Sequence, residues 1–309
     1  MNPIALFNSL PGALSQGLIW GIMAIGVYIT YKILDVADLT VDGTMCTGGA
    51  VFIMLTMAGW SIPAAMLASF AAGMLAGLAT GLFHTACGIP AILAGILTQL
   101  ALYSINLRIM GKANQPINAN NYDLLVSSRN VKEFSFDNPI LVVSIGCVLL
   151  IALLYWFFGT ELGSSLRATG SNPAMSRAQG INTNFTKVLG LMLSNGLVAL
   201  SSALLSQYQG FADVNMGRGA IVIGLAAVII GDVVFGRLFH NFALRLAAVV
   251  FGSIIYYAVY SLVIWLGMSG DDMKLITALI VALFLSIPYW KGKYFARKTS
   301  ARKEDAANA

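Results

Sequence analysis

Long apolar runs alternate with short polar turns along this chain. Four runs, residues 2–31, 43–107, 188–212 and 246–270, contain no Asp, Glu, Lys or Arg. About 20 apolar residues cross a bilayer as a helix. The pattern therefore predicts an all-α, polytopic integral membrane protein. The expected spans are 13–31, 44–58, 62–84, 90–110, 139–158, 185–208, 220–235, 242–266 and 274–289. That makes about nine, with eight and ten as alternatives. Two of them carry irregularities. Gly48-Gly49 is expected to interrupt the second, and the short 220–235 run meets Gly231-Asp232 near its end, as a half-span or re-entrant piece would. Gly73, Gly77 and Gly81, at four-residue spacing in the third, form a ridge that another helix can approach closely.

One polar stretch, 162–182, lies between strongly apolar segments and carries its own helix punctuation. Asn172 is placed to cap a helix, Pro173 to begin it, and Gly180 to end it in the left-handed conformation. The two turns between them, 173–179, are too few to be stable alone in water. They must pack on the rest of the chain or on a partner at the membrane face.

Composition agrees with the spans: 58% of the 309 residues are hydrophobic and 10% are charged. The net charge of +5 would suggest nucleic acid in a soluble protein. Here the basic residues sit beside spans and in the 291–309 tail, where anionic lipid and orientation account for them. With the loop around Arg167 placed in the cytoplasm, twelve of the eighteen Lys and Arg fall inside. This bias predicts an outside N-terminus, an external loop at 111–138, a cytoplasmic loop at 159–184 and a cytoplasmic tail. Residues 1–290 read as one transmembrane domain. Cys46, Cys87 and Cys147 lack metal-ligand spacing and read as small apolar residues. No cleavable signal peptide is expected, because the start lacks a basic leader.

Candidate chemistry is sparse. Asp38 and Asp42, one helical turn apart, could hold Mg²⁺ against a prenyl diphosphate, or could line a solvated turn with Asp35. In a third reading Asp42 starts the second span and faces a central pathway, since intramembrane acids are costly. His84 and His240 have no convergent partners for a metal. Among uncharged polar residues within spans, Thr44, Gln99 and Asn195 are candidates to line a path. Asn195 is the foremost, being mid-span between Ser194 and Gly196. No nucleotide-binding or Ser-His-Asp pattern occurs, so neither ATP hydrolysis nor another enzymatic activity is expected of this chain.

The order Gly163, Leu166, Arg167, Ala168, Gly170, Asn172, Gly180-Ile181 resembles the cytoplasmic loop of ABC-importer permeases of the branched-chain amino acid, ribose and basic-membrane-protein type. The likeness continues through Gly210, Met216-Gly217 and the 226–231 run, and more loosely over 14–111. Met175 and Asp232 depart from it, standing where alanine and a second glycine are usual. The resemblance implies a coupling helix that docks on an ATPase, with Arg167, Gly170, Asn172, Pro173, Arg177 and Gly180 as its residues. It also implies a cytoplasmic ATPase dimer carrying ATP and Mg²⁺, an external substrate-binding protein, and a second permease copy, here a homodimer. The location implied is a bacterial inner membrane and the cargo a small polar solute, with an amino acid, aromatic or branched-chain, favoured. An ion-coupled secondary transporter built on broken spans, and the Mg-dependent prenyltransferase, stand as alternatives.

Overall fold

The computed structural model describes residues 3–118, 122, 124–132, 138–236, 238–239, 241–267 and scattered positions from 275 to 286. The expected last span, 274–289, and the basic tail therefore lie largely or wholly outside the described residues. Among the described residues ten α-helices have defined bounds: α1 (Pro3–Tyr28), α2 (Val41–Met57), α3 (Ile62–Thr85), α4 (Ala91–Met110), α5 (Pro139–Gly159), α6 (Glu161–Ser171), α7 (Pro173–Ala178), α8 (Thr183–Gln209), α9 (Ala220–Phe235) and α10 (Phe242–Trp265). A π-turn, Ile29–Ile33, extends α1. Six of the helices are long and apolar enough to cross a membrane, and α2 and α9 are shorter apolar helices.

Local chemistry sets most of the boundaries. The side chain of Asn138 accepts from the Ile140 amide at 2.9 Å, and Pro139 follows where no amide is needed. Asn182 caps α8 by accepting from Asn184 and Phe185. Gly111 and Gly210 close α4 and α8 at φ of 70° and 80°, where a side chain would be strained.

The helices alternate in direction, which gives the molecule two faces. On one, β1 (Asn114–Pro116) pairs antiparallel with β2 (Phe211–Asp213), tying the 111–138 loop to the α8–α9 connection. On the other lie α6 and α7, the π-turn, the α3–α4 turn and the end of α9. Lys187 there approaches His84 at 3.5 Å, and Lys32 pairs with Asp232 at 2.9 Å. Asp232, the departure from the family pattern, thus has an ionic partner on α1.

α1 and α8 form the centre: 83% and 72% of their most apolar 18-residue stretches are buried, against 28% for α3 and α4 and 17% for α5. Glycines allow the close approaches to α8. Gly73 and Gly77 face the backbone carbonyls of Asn195 and Leu191, and Gly81 faces Val188. The expected ridge is therefore an internal seam.

Two sequence expectations change. Gly48-Gly49 does not interrupt α2; the helix is continuous, and both glycines receive α8, Gly48 at the Ala199 backbone. The 220–235 run is the short apolar helix α9, whose first turn meets Asp42 at the start of α2 and whose last turn carries Asp232 to Lys32. The polar stretch holds an additional helix, α6, started by Thr160, whose hydroxyl accepts from the Gly163 amide.

Candidate functional site

The polar face is built from α6 and α7. Asn172, in extended conformation, ends α6 and caps α7, its side chain accepting from the Met175 amide at 3.0 Å. Pro173 opens α7 and Gly180, at φ 83°, closes the turn after it. Ser176 is turned inward, while Met175 and Arg177 are exposed. Behind them α6 is fastened to the bundle at several points. Arg167 donates to the Phe158 carbonyl at 2.9 Å and lies 5.8 Å over the Phe242 ring. Thr169 bonds Thr186 of α8 at 2.9 Å. Gly170 sits against the Ile33 carbonyl of the π-turn, a place with no room for a Cβ. Thus Arg167 and Gly170 bind α6 to its own chain, whereas Arg177 is free to meet something else.

A second constellation lies inside the bundle. Asn195 donates to Asp38 at 2.6 Å and to the Leu191 carbonyl at 3.0 Å, and accepts from Thr44 at 2.7 Å. Asp38 also accepts from the Thr40 amide at 2.9 Å. Thr40 bonds Thr80 at 2.6 Å, and Thr80 donates to Thr98 at 2.9 Å. One buried network thereby joins α2, α3, α4, α8 and the turn before α2. Asp38 is 3% exposed, not solvated. Burial raises its carboxyl above the ordinary range, opposed by the bonds from Thr40 and Asn195. Asp42 is engaged elsewhere: its two oxygens accept from the amides of Gly219 and Ile221, at 2.9 and 3.0 Å, at the start of α9. Gln99 is half-buried, with its backbone beside Gly43. Of the four path candidates, Thr44 and Asn195 are in contact, and Asp42 and Gln99 stand apart from that pair. Asp38 and Asp42 do not converge, and no group of three potential ligands for a metal occurs among the described residues.

The third feature is an open cavity of about 970 Å³ between α1, α9 and α10, reaching the α8–α9 connection at the strand-bearing face. Gln16, Trp20, Arg218, Tyr257 and Tyr260 are among its lining. Sequence reading missed these residues. The available signals were Gln16 and Trp20 one turn apart, and Tyr256, Tyr257 and Tyr260 clustered inside a charge-free run.

Comparison with known proteins follows the same outline. The family described as "Branched-chain amino acid transport system / permease component" matches residues 9–287. A tyrosine transport system permease protein of Clostridioides difficile is 41% identical over 280 residues, 90% of this chain and 91% of its own. An uncharacterised protein of Rickettsia prowazekii is 34% identical over 90% of this chain and 97% of its own. An autoinducer 2 import system permease protein of Escherichia coli is 30% identical over 65% of this chain and 56% of its own. Among solved structures, a chain of PsaBC from Streptococcus pneumoniae in complex with Fab shares the fold, with a TM-score of 0.52 and 16% identity over 92% of this chain and 95% of that one. With its crossing helices, its fastened polar loop and a match across nearly its whole length, the chain belongs to the branched-chain amino acid transport system permease family and is an import permease subunit of the ABC type.

Proposed function

We propose that this chain, as a homodimer in a bacterial inner membrane, moves an amino acid inward by alternating access driven by a cytoplasmic ATPase dimer. An external substrate-binding protein delivers the cargo to the strand-bearing face. The 41% identical relative named for tyrosine transport supports an aromatic amino acid over the other family cargoes. In this reading residues 1–290 are the permease domain, α6 and α7 face the cytoplasm with the 291–309 tail, and the 111–138 loop faces out. The ATPase carries ATP and Mg²⁺.

The observation that carries the reading is α7: a short helix capped at both ends, exposing Met175 and Arg177, on a platform wedged against the π-turn of α1. Asn172, Pro173 and Gly180 shape the docking element, Arg177 meets an acid on the ATPase, and Arg167 and Gly170 pass the displacement to the spans. Thr44 and Asn195, with Asp42 and Gln99 around them, belong to the region that shifts between states. The ion-coupled alternative drew on broken spans, and α2 and α9 are continuous.

Arg177→Glu and Gly180→Val test this. The Gly180 position has open space but a left-handed backbone, so valine there strains the turn without a clash. Both variants are expected to insert and keep wild-type thermal stability, while co-purification with the ATPase and stimulated hydrolysis fall at least fivefold. Wild-type binding and stimulation in both would leave α7 a plain connector.

A further inference from the structure

The cavity at the strand-bearing face has a division of character along its depth. At its mouth stands Arg218, exposed, on the α8–α9 connection. Among the described lining residues it is the sole charged group. Deeper, Trp20 of α1 and Tyr257 of α10 form the wall, their rings 5.9 Å apart, with Tyr260 5.8 Å beyond Tyr257. Trp20 and Tyr257 are only 7% and 6% exposed. Neither the indole N–H nor the phenol has a hydrogen-bond partner among the described residues, and both residues line the cavity. Beside the cavity α1 and α10 close on each other. Ser253 donates to the Gly17 carbonyl at 2.6 Å, and a Cβ on Gly17 would stand 2.8 Å from the Ile254 Cα.

We propose that this cavity is an intramembrane binding site for the cargo, and that the cargo it fits is an aromatic amino acid bearing a ring hydroxyl. The site rests on the importer reading above and gives it a place in the chain. Arg218 at the mouth receives the α-carboxylate. The ring lies against Trp20 and Tyr257, and its hydroxyl takes up the two idle groups, accepting from the indole N–H and exchanging a bond with the Tyr257 phenol. The ammonium rests on the faces of the tyrosine rings, which attract cations. A site whose polar groups pair with a ligand hydroxyl holds the analogue that lacks it less well, because those bonds are then lost. The expected order is therefore L-tyrosine ahead of L-phenylalanine, with an aliphatic residue last.

Saturation-transfer NMR on the purified full chain in nanodiscs reads weak binding directly, with L-tyrosine and L-phenylalanine as probes. Wild type is expected to transfer saturation to the L-tyrosine ring at least threefold more strongly than to L-phenylalanine. Arg218→Gln, at an exposed position, should reduce both signals at least fivefold. Tyr257→Phe and Trp20→Phe should weaken L-tyrosine and narrow the preference while leaving L-phenylalanine unchanged, an effect that misfolding would not produce. Unchanged L-tyrosine signals in all three variants, or none in wild type, would overturn the site. ATP-dependent uptake of labelled L-tyrosine by the complete complex separates the two claims. Uptake without saturation transfer removes the cavity and keeps the importer, and absence of both removes the two together.

Discussion

α5 and α8 are both long apolar helices, and they meet opposite environments. α5 carries Ser144 as its one small hydroxyl and turns Leu149, Leu153 and Trp156 outward. α8 carries Ser194, Asn195, Ser201, Ser202, Ser206 and Gln207, all buried. The more apolar helix is the more exposed one, the reverse of a water-soluble protein. Lipid offers apolar side chains as good an environment as the interior does, so burial is decided by close packing and hydrogen bonding. Small and polar residues therefore mark the centre of this protein.

The sharpest way to break that contrast is to put the same side chain in both places. Gly77→Leu, against the Leu191 backbone of α8, should cost about 3 kcal/mol and lower the yield of assembled protein, by overpacking. Gly146→Leu on α5 has no atom within 4 Å of the new Cβ. It should be neutral or raise stability by up to about 1 kcal/mol, as helix propensity favours leucine. Thermal unfolding of the two variants in detergent checks the pair, and equal losses would put both glycines in the same environment.

A smaller effect comes from making α8 resemble α5 in chemistry. Asn195→Leu leaves Thr44 and Asp38 without their shared partner, a loss of about 2 kcal/mol in total. Melting temperatures of Asn195→Leu, Thr44→Val and the double variant would show coupling between them. Simple additivity would mean the bond contributes nothing.

The smallest expected change is one of slope. Burial raises the Asp38 carboxyl, so the folded protein holds that proton more tightly than the unfolded chain does. The stability it contributes is complete below about pH 4 and is lost as pH rises through the folded-state value. Asp38→Asn removes this loss, and the melting temperature of the variant relative to wild type should rise from pH 4 to 7. A difference constant with pH would show that Asp38 does not titrate on folding.

Much of the fold was legible because its signals are local. Asn138, Asn172 and Asn182 cap within three residues, and Gly111 and Gly210 close their helices, so the expected boundaries of α4, α5, α7 and α8 fall within about two residues of those seen, whereas α1 begins at Pro3, ten residues before its expected start. Short-range reading failed at α6, whose start depends on the hydroxyl of Thr160 and whose seat depends on Ile33, well over a hundred residues away. The same limit hid the partners of Asp38 and Asn195, separated by 157 positions. It also hid the cavity, whose walls come from the two ends of the chain. Asn195 stood out by its place mid-span; Trp20 and Tyr257 looked like ordinary core aromatics until they were seen side by side.

The seat of Gly170 on the π-turn has a mechanical consequence. The turn is the foot of α1, and residues from Gly12 to Trp20 of that same rod wall the cavity. From Gly12 to Ile33 the rod measures about 33 Å at 1.5 Å per residue. A tilt of about 5° at its foot would carry the far end about 3 Å, more than the difference between a hydrogen bond and no contact at all. With backbone set against backbone at Gly170, there is no side chain to flex and absorb the motion. Helix and platform behave as a crank, and the glycine is its pin.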